Sequence, residues 1–201
     1  MALFIDVLDV WLAMLSWGML TAGAWVILRF ILGNQAVDKG FGYAFLGIGI
    51  YALVSGLWGS FTWPLPSSYN IVLMDPYALY GVAMLILGLS LINSVDLRGP
   101  LIAVAFMSLS VFNYAADILK YGLTNSPAAA AALYILVGLS GLLGPTLTLR
   151  RGSKYMAYII TIVLVLGALL AAYIGFAATF EHTAGWLSGS PSTVRTGLTN
   201  S

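Results

Sequence analysis

Six stretches of the sequence contain no charged residue, and each has about the length of a membrane-crossing helix. They cover residues 10–28, 41–63, 77–95, 100–116, 127–149 and 155–180, and their lengths lie between 17 and 26 residues. An α-helix rises about 1.5 Å per residue, so about 20 apolar residues cross a hydrocarbon core about 30 Å thick. Segments such as 159–172 (IITIVLVLGALLAA) are apolar on every side, unlike the amphipathic helices of soluble proteins.

The composition supports the same interpretation. Hydrophobic residues make up 61% of the chain and charged residues only 7%, whereas about a quarter of the residues of a soluble domain are charged. No segment shows the alternation of polar and apolar residues that is typical of a membrane β-barrel. The sequence therefore predicts an all-α polytopic membrane protein, a bundle of six transmembrane helices. The predicted spans are about 7–32, 41–63, 77–95, 100–121, 127–149 and 155–181. They form one domain of residues 1–182. A polar external tail, residues 183–201, follows it.

The lysine and arginine residues predict an orientation in the cell membrane. Six of them lie in loops one, three and five, and two lie on the opposite side. The first group is Arg29, Lys39, Arg98, Arg150, Arg151 and Lys154, and the second is Lys120 and Arg195. Because short cytoplasmic loops carry the excess of basic residues, we expect both termini of this multi-pass protein on the non-cytoplasmic side.

Proline and glycine mark the predicted helix ends and contacts. The pairs at 75–76 and 126–127 place proline at the start of spans three and five, with Asp75 and Ser126 as N-caps. The Gly-Pro pair at 144–145 predicts a kink in span five. Glycines that recur along spans two and three predict close helix packing, since small residues let backbones approach in lipid. These glycines are Gly42, Gly49, Gly56, Gly59, Gly81 and Gly88.

A stripe of polar residues on span four is the first candidate for chemistry. Ser110, Asn113, Asp117 and Lys120 are separated by three, four and three residues, which places them on one helix face. We expect this face to point into the bundle, because lipid would not solvate it. It is either an interfacial ion pair of Asp117 and Lys120 or an entry point for a proton or ion.

A second candidate group lies at the predicted outer rim. Glu181 and His182 end span six, and Asp75 and Asp117 lie at the same side of the membrane. If these four side chains converge, their oxygen and imidazole ligands suit several divalent metals. The alternative is that Glu181 and His182 are ordinary residues at the water boundary.

The third candidate is the external segment 67–77 (SSYNIVLMDPY). Tyr69, Asn70 and Asp75 would line an external site in a functional interpretation. In a structural interpretation Asp75 caps span three and Tyr69 belongs to the aromatic belt at the membrane surface. The structural interpretation is favoured.

Several functions are excluded by missing residues. The chain has no cysteine and one histidine, so it offers neither thiolate chemistry nor two axial histidines for a haem. It has no phosphate-binding glycine motif and no dense basic cluster for nucleic acid. A retinal protein requires a lysine within a late helix, and span six contains none. No catalytic or cofactor-binding residue is identified, and any cofactor is unknown.

The segment 63–77 (WPLPSSYNIVLMDPY) also carries a resemblance. Its Trp-Pro, Ser-Tyr-Asn and Asp-Pro-Tyr elements resemble an uncharacterised, largely archaeal family of multi-spanning membrane proteins, of the kind described as a domain of unknown function. The resemblance covers most of the chain, from the first span to the sixth. It implies a multi-helix membrane protein of about this length and implies no activity.

Three functions stay open at this stage. The first is a non-catalytic subunit or assembly partner of a membrane complex, which the glycine-lined helices and the absence of charge at the membrane midplane favour. The second is a channel or carrier for a small solute or ion, using the span-four stripe and the external segment. The third is a metal- or quinone-linked enzyme at the outer interface. The expected partners are the lipid bilayer and other membrane subunits or a second copy of the chain, and not nucleic acid.

Overall fold

The computed structural model describes residues 8–149 and 153–189, with side chains in the second segment as far as residue 184. Its regular elements are helical throughout the described part, and six helices are long and apolar enough to cross a membrane. The predicted fold class is therefore confirmed. The helices are α1 (Leu8–Val26), α2 (Asp38–Thr62), α3 (Tyr69–Ile92), α4 (Arg98–Tyr121), α5 (Pro127–Leu143) and α6 (Ser153–Gly189).

The six helices form a closed ring of neighbours. α2 packs along α3, α4 along α5, and α1 along α6, and these three pairs are the most extensive contacts. The ring is completed by smaller contacts of α5 with α6, α3 with α4, and α1 with α2. Chain neighbours therefore pack as antiparallel hairpins, and the first helix meets the last.

Glycine spacing explains why α2 and α3 form the tightest pair. A Cβ atom added to Gly56 would lie 2.5 Å from the backbone nitrogen of Ala78, and one added to Gly81 would lie 2.3 Å from that of Leu53. Such distances leave no room for any side chain. The predicted close approach is therefore confirmed at the glycines that meet the facing helix: Gly42, Gly49, Gly56, Gly81 and Gly88.

The start of the third span differs from the prediction. α3 begins at Tyr69, eight residues before the predicted start at 77, and Pro76 lies inside it. A proline in a helix leaves the carbonyl four residues earlier without its backbone donor. Here the Tyr134 hydroxyl of α5 donates a hydrogen bond to the freed Val72 carbonyl. Asp75 is therefore within a helix and is not its N-cap, and much of the predicted external segment is helical.

Other helix ends agree with the sequence in part. Pro127 is the first residue of α5 as predicted, but the side chain of Ser126 makes no capping hydrogen bond. In place of a kink at 144–145, α5 gives way to a 3₁₀ turn over Gly144–Thr148. α1 likewise continues as a π-helical turn over Ile27–Ile31. In both places the chain tightens or widens its helical turn near the same end of the bundle.

The C-terminal prediction needs one correction. α6 continues to Gly189, so the first residues of the predicted polar tail extend the last helix. The remainder of the tail, with Arg195, lies outside the described residues, as do Arg150 and Arg151 of the fifth loop. The orientation in the membrane accordingly stays a prediction.

Candidate functional site

A long cavity runs through the middle of the bundle. Its volume is about 560 Å³, and its walls come from α1, α3, α4, α5 and α6, while α2 contributes only Phe45. Along α1 the lining residues extend from Leu8 to Val26, which is about 27 Å at 1.5 Å per residue. The cavity therefore has nearly the length of the hydrocarbon core of a bilayer. The end near Leu8, where the exposed residues Asn125 and Glu181 line the cavity, is called the mouth. The opposite end, which the buried residues Trp25, Phe45 and Leu147 line, is called the closed end.

Aromatic side chains form one wall in the half nearer the mouth. The rings of Trp11 and Tyr77 stack with centroids 4.6 Å apart, and Tyr80 follows with its ring centroid 5.9 Å from that of Tyr77. The hydroxyls of Tyr77 and Tyr80 are buried and have no hydrogen-bond partner among the described residues. Unsatisfied buried hydroxyls are uncommon in folded proteins. The Tyr80 hydroxyl lies against Gly18 of α1, which does not line the cavity, so this wall presents mainly aromatic ring surface.

The middle of the cavity is apolar and deformable. Met19, Met84 and Met107 line it together with leucine and valine side chains, and methionine adapts easily to the shape of a neighbour. The Ser108 hydroxyl also faces the cavity, but it already donates to the Val104 carbonyl at 2.8 Å. This section therefore presents hydrocarbon surface to whatever occupies it.

The mouth is the polar end of the cavity. Glu181 and His182 of α6 line it, and so does Asn125 of the loop between α4 and α5. The Asn125 amide lies 3.5 Å from a Glu181 carboxylate oxygen, and His182 Nδ1 lies 3.1 Å from Asp9 Oδ1. One carboxylate, one imidazole and one amide thus line the entrance, and the Asp9 carboxylate contacts the imidazole.

A cluster of three polar side chains lies next to the closed end. Asp38 accepts a hydrogen bond from Trp25 Nε1 at 2.9 Å on one carboxylate oxygen and from Arg29 Nε at 2.8 Å on the other. The Arg29 and Asp38 side chains are only 21% and 20% exposed. Trp25 itself lines the cavity, so the cluster connects the cavity wall to the first residue of α2.

Sequence reasoning missed the cluster at the closed end. It used Arg29 only as a charge for the orientation of the chain. The available signal was the four-residue spacing of Trp25 and Arg29 on α1, which places them on one face. An acid in the first turn of the next helix, Asp38, completes that pattern.

The four metal candidates have different neighbours. His182 pairs with Asp9, Glu181 lies beside Asn125, and Asp75 accepts a hydrogen bond from the Ser60 hydroxyl at 2.7 Å. Asp117 forms no hydrogen bond or ion pair with a described residue. Within the described residues no group of three or more metal-ligating side chains is close enough to hold an ion.

The three residues singled out in the segment 67–77 take separate roles. Asn70 is fully buried and ties the segment together, since its amide donates to the Gly59 carbonyl at 3.1 Å and its oxygen accepts from the Leu65 amide at 3.3 Å. Asp75 fastens α3 to α2 through Ser60. Tyr69 alone reaches the cavity, at the mouth, where its hydroxyl accepts from the Thr124 amide at 3.3 Å.

The polar stripe on α4 points away from the bundle, in contrast to the prediction. Asn113 and Lys120 are exposed, and Ser110 and Asp117 are half-buried. The opposite face of α4 supplies the buried residues, including Ser108, which lines the cavity. The spacing correctly placed the four residues on one face, but the expectation that this face turns inward is wrong. No ion pair joins Asp117 to Lys120, whose ammonium lies over the Tyr121 ring.

Comparison with known proteins gives a family and no activity. The model of one family, described as "Protein of unknown function (DUF981)", matches residues 1–185. No curated protein matches the chain, and no solved structure does. The predicted resemblance to an uncharacterised family is confirmed at this level, while its largely archaeal occurrence stays a prediction. The chain thus belongs to the DUF981 family of proteins of unknown function.

Proposed function

We propose that this membrane protein binds one elongated, weakly polar molecule in its central cavity and acts as a carrier or binding protein for it. The observation that carries the proposal is the shape of the cavity. A volume of about 560 Å³ that extends over about 27 Å describes a space much longer than it is wide. This shape fits a single linear chain better than a compact solute, and the volume lies in the range of small-molecule sites.

The distribution of polarity defines the class of ligand. Hydrocarbon surface around Met19, Met84 and Met107 suits an acyl or isoprenoid chain. Polar side chains line the mouth, where Asn125, Glu181 and His182 lie. The Glu181 carboxylate at the mouth would repel an anionic head group. A head group that donates hydrogen bonds, such as a hydroxyl or an amine, is therefore favoured.

The geometry favours a carrier over the other functions that the sequence left open. An assembly subunit needs no internal cavity, so the proposal of a purely structural subunit leaves this feature unexplained. An enzyme would need reactive groups facing each other across the cavity. Among the described residues, the ionisable side chains other than tyrosine that line it are Glu181 and His182, both at the mouth. A quinol, the reduced form of a quinone, carries donating hydroxyls and an isoprenoid chain and falls within the proposed ligand class.

The proposal is tested by titration with a long-chain primary alcohol that carries bromine on its chain. Bromine quenches tryptophan fluorescence at short range, and Trp11 and Trp25 line the cavity. In detergent-solubilised protein we expect a saturable quenching step at one probe per chain, above the gradual quenching of the exposed tryptophans.

Two variants of α5 make the test specific. Val137 lines the cavity, whereas Ile135, two residues earlier, is 39% exposed on the outer surface. We expect Val137→Phe to abolish the saturable step because its ring fills the cavity, and Ile135→Phe to leave it unchanged. Quenching without saturation in the wild type, or an equal loss in both variants, would contradict the proposal.

A further inference from the structure

The outward polar face of α4 carries an amide, Asn113, that has no hydrogen-bond partner in the described part of the chain. Asn113 lies eight residues before the end of α4 at Tyr121, which is about 12 Å along the helix. At that depth the surrounding medium is hydrocarbon. The Asn113 side chain is exposed and makes no hydrogen bond with any described residue. A bare amide is poorly tolerated in lipid.

Other amides in the described part of the chain show how the protein normally treats this group. Asn70 is buried and uses both its donor and its acceptor. Asn93, just beyond the end of α3, donates to the Leu89 carbonyl at 2.8 Å. Asn113 alone combines membrane depth, exposure and the lack of a described partner. Residues 8–149 and 153–184 supply no hydrogen-bond partner for it, so a molecule that packs against this face would provide one.

We propose that a second copy of this chain packs against the α4 face that carries Ser110, Asn113, Asp117 and Lys120. The charges on this face are complementary to themselves, since Asp117 and Lys120 lie about one turn apart and neither forms an ion pair with a described residue. A two-fold axis along the membrane normal, near Asn113, pairs the two amides. It also brings Asp117 of each copy toward Lys120 of the other.

The rest of the face supports a helix-to-helix contact. Toward the closed end the exposed stripe continues with Leu109, Phe106 and Ile102, which are 49%, 67% and 46% exposed. These side chains supply apolar packing next to the polar group. Two copies of this face can supply each other's partners, since the acid of one meets the base of the other and the two amides meet. This favours a second copy over an unrelated subunit.

Cross-linking tests the proposal cleanly because the chain contains no cysteine. Leu109→Cys places a thiol on the proposed interface and leaves the four polar residues intact. The matched control is Ile50→Cys on α2, which is 51% exposed and twelve residues from its helix end, as Leu109 is from Tyr121. With copper phenanthroline as oxidant in native membranes, we expect a covalent dimer from Leu109→Cys at several times the yield from Ile50→Cys.

Charge exchange in the Leu109→Cys background tests the pairing itself. We expect Asp117→Lys alone and Lys120→Asp alone to lower the dimer yield several-fold, and the double variant to restore it. Asn113→Leu should lower the yield while the protein still elutes as a single species. Equal yields from the two cysteine positions would overturn the proposal. A cross-link from Leu109→Cys mainly to a different protein would also overturn it, because the occupant would then not be a second copy.

Discussion

Two regions of the molecule, the α2–α3 contact and the central cavity, show opposite ways of packing helices in a membrane. At the α2–α3 contact, glycines bring the two backbones so close that a Cβ at Gly81 would lie 2.3 Å from the Leu53 nitrogen. Around the cavity, five helices remain apart and enclose about 560 Å³. Both regions are built from apolar residues in the same bilayer.

α3 takes part in both regions and shows where the difference arises. Its face toward α2 carries Gly81 and Gly88, and its face toward the cavity carries Tyr80, Met84 and Leu87. Apolar burial gives little drive for helix association in lipid, so contact depends on how well surfaces fit. Glycines that face a backbone close the α2–α3 contact completely, whereas long side chains hold the backbones around the cavity apart. The cavity is therefore encoded as specifically as the tight contact.

The largest effect is expected where the α2–α3 contact is closest. Gly81→Ala forces a methyl group into backbone atoms and should destabilise the protein by about 3 kcal/mol, because overpacking cannot be relieved by side-chain movement there. The control is Gly47→Ala on α2, where an added Cβ meets nothing within 4 Å. Thermal unfolding in detergent should show a clear loss for the first variant and none for the second. Equal stability of the two variants would mean that the helices are not in backbone contact.

A smaller loss is expected at the connection between α2 and α3. Asn70→Ala leaves the Leu65 amide without its acceptor and removes one of the two donors to the Gly59 carbonyl, which keeps the Trp63 amide. The change should destabilise the protein by about 2 kcal/mol. Asn93→Ala is the control, since that exposed amide bonds only to its own helix and its loss should be within about 0.5 kcal/mol. Unfolding by denaturant measures both. A neutral Asn70 variant would show that this buried amide does not hold the connection.

The closed end of the cavity should respond less than the tight contact. Asp38→Ala removes the acceptor of both Trp25 and Arg29 and should destabilise by about 1.5 kcal/mol, since the ion pair is only partly shielded from solvent. The control is Asp96→Ala, because Asp96 and Arg98 are largely exposed. There the hydrogen bond from Arg98 lowers the pKa of Asp96, and we expect no measurable change in the unfolding temperature. Identical effects would contradict the assignment of Asp38 to a structural cluster.

The sequence predicted the helices well because the ability to cross a bilayer depends on the length and polarity of one continuous segment. Charge-free length alone located all six spans, and the glycine spacing located the α2–α3 contact. The start of α3 was misplaced because proline is common at the first position of a helix and rare inside one. What allows it here is a hydrogen bond from Tyr134 to the Val72 carbonyl, a contact between distant parts of the chain that no local pattern contains.

The candidate site was less predictable, for two physical reasons. A cavity is the space that packed helices leave unfilled, so it depends on the facing surfaces of five helices at once. The stripe on α4 was assigned inward on the rule that polar groups avoid lipid. That rule treats a single chain as the whole membrane unit. Asn113 is exposed in the described chain, and the proposed second copy would account for this. Of the predicted residues, Tyr69, Glu181 and His182 do meet at the mouth.

The central claim is that the cavity holds one elongated molecule, and the mass of the protein as purified tests it most directly. Native mass spectrometry of the wild type and of Ile135→Phe should show one retained small molecule per chain, and organic extraction should identify it as a chain with a hydrogen-bonding head group. Val137→Phe should fold normally and carry none. Wild-type protein without a retained molecule, or the same molecule retained by Val137→Phe, would contradict the account.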